Sequence, residues 1–141
     1  MVLLVAMLLV GDVVFAFDPL PNGDGSYSEP GTGLRKVVSD WISGGTAKNM
    51  VLAKYGAIEE WNVASVTSLN YVFFNKPTFN ADLSKWDTAE VTNMESMFSS
   101  ASVFKADLSK WDTAAVTTIQ STFAGASAFN ADLSKWNTGA V

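Results

Sequence analysis

Carboxylates, hydroxyls and ammonium groups return in this chain at one fixed interval. Asp82, Asp107 and Asp132 lie 25 residues apart, and Ser84, Ser109 and Ser134 keep the same step, as do Lys85, Lys110 and Lys135. In register, these side chains would form a polar edge suited to a protein or glycan partner, or a carboxylate column suited to a cation. Hydrolysis of a glycosidic bond needs two carboxyl groups flanking the substrate, and Glu59 and Glu60 near Asp82 are the available set. Adjacent acids on a repeat edge are ordinarily a solvated face, so the enzyme reading is the weaker one. Two absences narrow the chemistry further. The 141 residues include no His, the commonest general base near neutral pH and the commonest transition-metal ligand, and no Cys. Ser-His-Asp and Cys-His systems, thiolate metal sites and disulfides are therefore excluded. The expectation is a binding protein with no catalytic residue, no metal site and no cofactor.

The Asp column raises a physical difficulty, because like charges on paired strands would stand about 4.8 Å apart and repel. An Asx-turn, in which each carboxylate accepts the backbone N–H two residues on, would stabilise the charge and account for the recurring Asp-Leu-Ser. The three lysines, with Asp87 and Asp112 beside them, would balance charge along the solvent face, at little gain in stability. Two hydroxyl columns accompany them, Thr88, Thr113 and Thr138, and Thr67, Thr92 and Thr117. A flat Thr ladder suits ice binding. The second column reads as helix caps instead, which leaves ice binding a remote alternative.

What must position these groups is a repeat. Trp61, Trp86, Trp111 and Trp136 share the 25-residue step, and so do Phe79, Phe104 and Phe129; Leu83, Leu108 and Leu133; Phe73, Phe98 and Phe123; and Val66, Val91 and Val116. A period of this length is the signature of a stacked array, in which one unit buries too little to stand alone and its apolar face is covered by the next. The aromatic and aliphatic ladders therefore belong to the core. In the unit WDTAEVTNMESMFSSASVFKADLSK, Val91, Met94, Phe98 and Ala101 are spaced three, four and three apart, which predicts a helical segment over Asn93 to Ser99. Thr92 with Glu95, and Thr117 with Gln120, have the form of capping boxes. Phe104, Leu108 and Trp111 point to a short strand from Ala106 to Trp111.

The units resemble the surface-protein repeat shared by BspA-like proteins, bacterial lipoproteins and many proteins of unicellular eukaryotes. Trp86, Asp87, Thr88, Val91, Thr92, Met94, Met97, Phe98, Ala101, Phe104, Asp107, Leu108 and Ser109 match its pattern in order. The likeness runs from Ala57 to the end, and the DWISGGTAKNMVLAKYGAIEEW stretch before it is similar to the helical lead-in of such arrays. The first unit departs from the pattern at Asn75-Lys76-Pro77 and at Leu69 to Val72. The resemblance implies an α/β repeat solenoid of leucine-rich-repeat type, one short strand and one short helix per rung. It also implies display outside the cell for adhesion or recognition, and no catalytic residues.

Upstream, Val2 to Val10 is an unbroken apolar run followed by Val14-Phe15-Ala16, the form of a signal peptide cleaved after Ala16, although no Lys or Arg precedes it; a retained anchor or a buried N-terminal strand is the alternative. Residues 17–33 read as a linker rich in Pro, Gly, Asp and Ser. Their Asn22, Asp24, Ser26, Ser28 spacing is calcium-loop-like, but Gly33 stands where the bidentate acid belongs. Leu34, Val37, Val38, Trp41 and Ile42 form one helical face, with Thr32 as N-cap and Gly44-Gly45 as terminator. A second helix from Thr46, with Met50, Val51 and Tyr55 inward, completes an N-terminal cap over 34–56. The repeats fill 57–141. A net charge of -5, without a basic patch, excludes nucleic acid as a natural partner. The expected partner is an extracellular protein or glycan, and the expected location secreted or cell-surface. The fourth unit stops six residues after it starts, at Val141. The uncapped rung is therefore expected to continue in a longer chain or to associate end to end with another molecule.

Overall fold

The computed structural model describes residues 7–10, 13–16, 20–21 and 33–141. The Thr32 cap, the calcium-loop spacing and most of the linker lie outside these residues. β1 (Met7–Val10) and β2 (Val13–Ala16) pair antiparallel, Met7 opposite Ala16 and Val10 opposite Val13. No helix among the described residues is long and apolar enough to cross a membrane.

The apolar stripe of α1 (Gly33–Ser43) buries Leu34, Val37 and Val38, with Trp41 and Ile42 half-buried behind them, and Lys36 pairs with Asp40 on the outer face. Gly44, at φ 74°, makes the break that an L side chain resists, and α2 (Gly45–Tyr55) follows at once. Gly56 ends α2, at φ 77°, donating its N–H to the Leu52 carbonyl. α2 buries Val51 and half-buries Tyr55, but Met50 is 69% exposed, contrary to its expected inward placement. Both helices share one core with the first repeat. Trp41 meets Phe79 edge-on at 6.3 Å, Tyr55 meets Trp61 likewise, and the Lys76 ammonium donates to the Ser39 hydroxyl at 3.0 Å. Burial between the helices and this rung lowers the Lys76 pKa.

From Ile58 onward the chain forms rungs stacked one on the next. Trp61, Trp86, Trp111 and Trp136 lie in a pile with successive centroids 6.2, 6.2 and 6.4 Å apart and nearly parallel planes. Each of the last three indoles donates its Nε1–H across the rungs, Trp86 to the Ile58 carbonyl, Trp111 to Leu83 and Trp136 to Leu108, at 2.9 to 3.0 Å. Phe73, Phe98 and Phe123 form a second pile and Phe79, Phe104 and Phe129 a third. Within a rung the two Phe rings stack at 4.0 to 4.1 Å. The ladders are core, as the 25-residue period requires.

The α/β repeat solenoid expected from the sequence is not the fold. Neither the helix over Asn93 to Ser99 nor the strand from Ala106 to Trp111 forms; among the described residues the repeats hold turns, irregular segments and the isolated parallel bridges Ser68–Asn93 and Asn93–Thr118. The reason is local. Ser96 has φ 52° and Ser100 φ 62°, and the same left-handed geometry recurs at Tyr71 and Asn75 and at Ser121 and Gly125. An α-helix cannot pass through such residues. Met97, Ser99 and Ala101 instead donate their N–H groups three residues back, while Met94, Ser96, Phe98 and Ser100 donate to Thr118, Gln120, Thr122 and Ala124 in the next rung, at 2.7 to 3.0 Å. Leu69, Tyr71, Phe73 and Asn75 do the same toward Asn93, Glu95, Met97 and Ser99. The first unit thus makes the same bonds despite its different sequence.

The capping boxes disappear with the helix. Thr92 Oγ1 donates to the Thr67 carbonyl at 3.0 Å and Thr117 Oγ1 to Thr92 at 3.1 Å, binding rung to rung. Glu95 accepts the Tyr71 phenol at 2.7 Å, and this bond holds the Tyr71 pKa above its ordinary value.

Candidate functional site

The Asp-Ser-Lys column forms an exposed edge three rungs high. Asp82, Asp107 and Asp132 are exposed, as are Lys85, Lys110, Lys135 and Ser134, while Ser84 and Ser109 are half-buried. The inward residue between them, Leu83 or Leu108, is fully buried and anchors each turn to the core. Each Asp closes an Asx-turn: its Oδ1 accepts the N–H of Ser84, Ser109 or Ser134 at 2.8 to 2.9 Å. These hydrogen bonds, from the serine backbone first and its side chain second, hold all three carboxyls below their ordinary pKa. Lysines act in the same direction, Lys85 and Lys110 on Asp82, and Lys110 and Lys135 on Asp107. The repulsion expected of a carboxylate column is offset by interleaved cations and donated backbone N–H groups.

Lys85 also pairs with Glu60, which raises the Lys85 pKa and ties the edge to the 3-10 turn Ile58–Glu60. A second row of Asx-turns lies one corner further on, where Asp87, Asp112 and Asn137 accept the N–H groups of Ala89, Ala114 and Gly139. Thr88 and Thr113 are buried, and their hydroxyls donate to the Asp112 and Asn137 carbonyls at 2.9 and 3.1 Å. This hydroxyl column is rung-to-rung bonding rather than a free surface. Among the described residues no group of three or more acids stands together as a metal site.

The structure brings together a second set of side chains that repeat reasoning missed. Trp41 and Ile42 from α1, Lys48 from α2, Glu59 from the 3-10 turn, and Thr78, Phe79, Asn80 and Ala81 from the first rung line an open cleft of about 380 Å³. Lys48 Nζ lies 4.2 Å from the centre of the Trp41 ring. Trp41 Nε1 is buried without a hydrogen-bond partner, whereas the indoles of Trp61, Trp86, Trp111 and Trp136 all reach backbone carbonyls. One signal was present in the sequence. Glu59 and Thr78 break the register, since Ser84 and Ser109, and Val103 and Ala128, occupy the same positions in the later units.

A rung built of turns, carrying three aromatic piles inside and an Asx-turn edge outside, defines a stacked-repeat protein. The chain belongs to the family described as Mycoplasma protein of unknown function, DUF285, whose model matches residues 45–141, from the first residue of α2 through the whole array. No curated protein and no solved structure matches the chain.

Proposed function

We propose that this chain is a non-catalytic recognition protein, displayed outside the cell, whose Asp-Ser-Lys edge contacts a protein or glycan partner. The observation that carries the reading is the edge itself: alternating carboxylates and ammonium groups, exposed at a fixed rise on turns clamped to a rigid core. Such a surface presents the same polar motif in each rung and suits a partner that is itself extended or repetitive. The lowered pKa of each Asp keeps the edge ionised, which suits a charged contact surface and not a general acid. The likeness to BspA-like surface repeats supports a location at the cell surface or in the secreted fraction, with Val2 to Val10 as the export signal.

The test is a glycan and matrix-protein array probed with the whole chain and with an Asp107→Asn, Lys110→Ala variant. Retention of a partner by the wild type, and its loss by the variant at unchanged melting temperature, is the expected result. Equal retention by both would remove the edge from recognition.

A second reading, association through the last rung, is favoured by a specific feature. The N–H groups of Ile119, Ser121, Phe123 and Gly125 stand where earlier rungs donate forward, yet they meet no acceptor among the described residues. Phe123, Leu133 and Trp136 beside them line an open apolar depression of about 440 Å³.

A further inference from the structure

We propose that the cleft between the helical cap and the first rung is a saccharide subsite that takes one neutral pyranose residue. The inference shares the recognition reading given above but places binding on a different surface. The cleft volume, about 380 Å³, falls in the range of small-ligand sites. Its lining joins two chemistries that a sugar ring needs together. The half-buried Trp41 ring, with Ile42 and Ala81, offers an apolar wall to the C–H face of a pyranose, and the edge of the buried Phe79 lies behind it. The Glu59 carboxylate and Thr78 hydroxyl, neither hydrogen-bonded within the described residues, offer acceptors and a donor to its hydroxyls. Asn80 already accepts the Lys105 N–H through Oδ1 at 2.9 Å, which turns its amide NH2 into the free donor. One ammonium, Lys48, and one carboxylate, Glu59, balance in charge and favour a neutral hexose over a uronic acid.

The buried, unpartnered Trp41 Nε1 is the second observation. Buried polar groups in folded proteins are nearly always paired, and the four other indoles described here obey the rule. Lys48, half-buried above the Trp41 ring, is a flexible side chain that a ligand can displace, opening the indole face; the N–H, which donates in the ring plane, takes a sugar hydroxyl seated at the ring edge. Glu59 and Thr78 serve no rung-to-rung bond, so the departures from the repeat at these positions gain a reason.

The experiment is a titration of the whole, isotopically labelled chain with glucose, galactose, mannose, N-acetylglucosamine and glucuronic acid, followed by two-dimensional NMR. One neutral sugar is expected to shift the Trp41 indole signal at millimolar concentration while the Ser84, Ser109 and Ser134 amides stay in place. Glu59→Gln should weaken that binding about tenfold or more without lowering the melting temperature, as expected for a lost charge-assisted hydrogen bond. Trp41→Phe, which keeps an aromatic wall and removes the orphan donor, provides a folded variant should Trp41→Ala fail to fold, and should also weaken binding. No shift of the Trp41 signal with any neutral sugar, or a response to glucuronic acid alone, would overturn the proposal. Shifts confined to the three serine amides would also overturn it, and would assign sugar binding to the edge instead.

Discussion

At Asp82, Asp107 and Asp132 one oxygen does two jobs, closing a turn and charging a surface. Because the folded carboxyls titrate below the 3.8 of a free Asp, folding is favoured by their ionisation. The contribution is fully present above pH 3.8 and is lost as pH falls through the lower folded values. Asn closes the same turn without a charge, as Asn137 does for the Gly139 N–H at 2.9 Å. The variant with Asn at all three positions should therefore melt with a flatter acid limb than the wild type, which thermal melts across the acid range will show. A parallel acid limb in the two proteins would mean that these carboxyls do not sense folding. The Asx-turn was legible in the Asp-Leu-Ser recurrence because its donor lies only two residues away. The Trp41 cleft was not, since its walls come from two helices, a 3-10 turn and a rung corner that periodicity cannot join.

Spacing misled at the level of the element. Val91, Met94, Phe98 and Ala101 all point inward, as a helical face would, and all four are fully buried. They do so because a run of tight turns also returns to the core every three or four residues. What separates the two is backbone handedness, and Ser carries no mark of it in a sequence; Gly125 and Asn75, which hold the place of Ser100 in the neighbouring rungs, hint at the left-handed position. The distinction has a testable sign. Gly in the interior of a helix costs roughly 0.5–1 kcal/mol relative to Ala, whereas at φ 52° it relieves the strain of a left-handed L residue. Ser96→Gly should thus leave stability unchanged or raise it by up to about 1 kcal/mol, read from denaturant midpoints at constant slope. A loss of that size would restore the helix.

For the whole molecule, the period alone announced stacking and the three aromatic piles, while the N-terminal helices were legible from the apolar spacing of Leu34 to Ile42 and the glycines that follow. The direction of the hydrogen bonds between rungs was not. Amide exchange should reveal that direction: the N–H groups of Met94, Ser96, Phe98 and Ser100 are expected to exchange slowly, and those of Ile119, Ser121, Phe123 and Gly125 fast. Raising the protein concentration should slow the second set if molecules join through the last rung. Exchange that stays fast at every concentration would leave that face unused by copies of this chain.

Those bonds also give the array an electrical axis. Peptide units 93–94, 95–96, 97–98 and 99–100 each turn their C=O toward the first rung and their N–H toward the third. The same units in the flanking rungs continue the lines, so peptide dipoles of about 3.5 D add head to tail across the chain direction, as they do along a helix. The Thr117 to Thr92 to Thr67 line and the single Ala128 to Ser102 bond run the opposite way, against four lines. The stack therefore has a positive end at its last rung and a negative end beneath its helices. Every added rung lengthens the column, and whatever meets the positive end is sorted by the sign of its own backbone before shape is consulted.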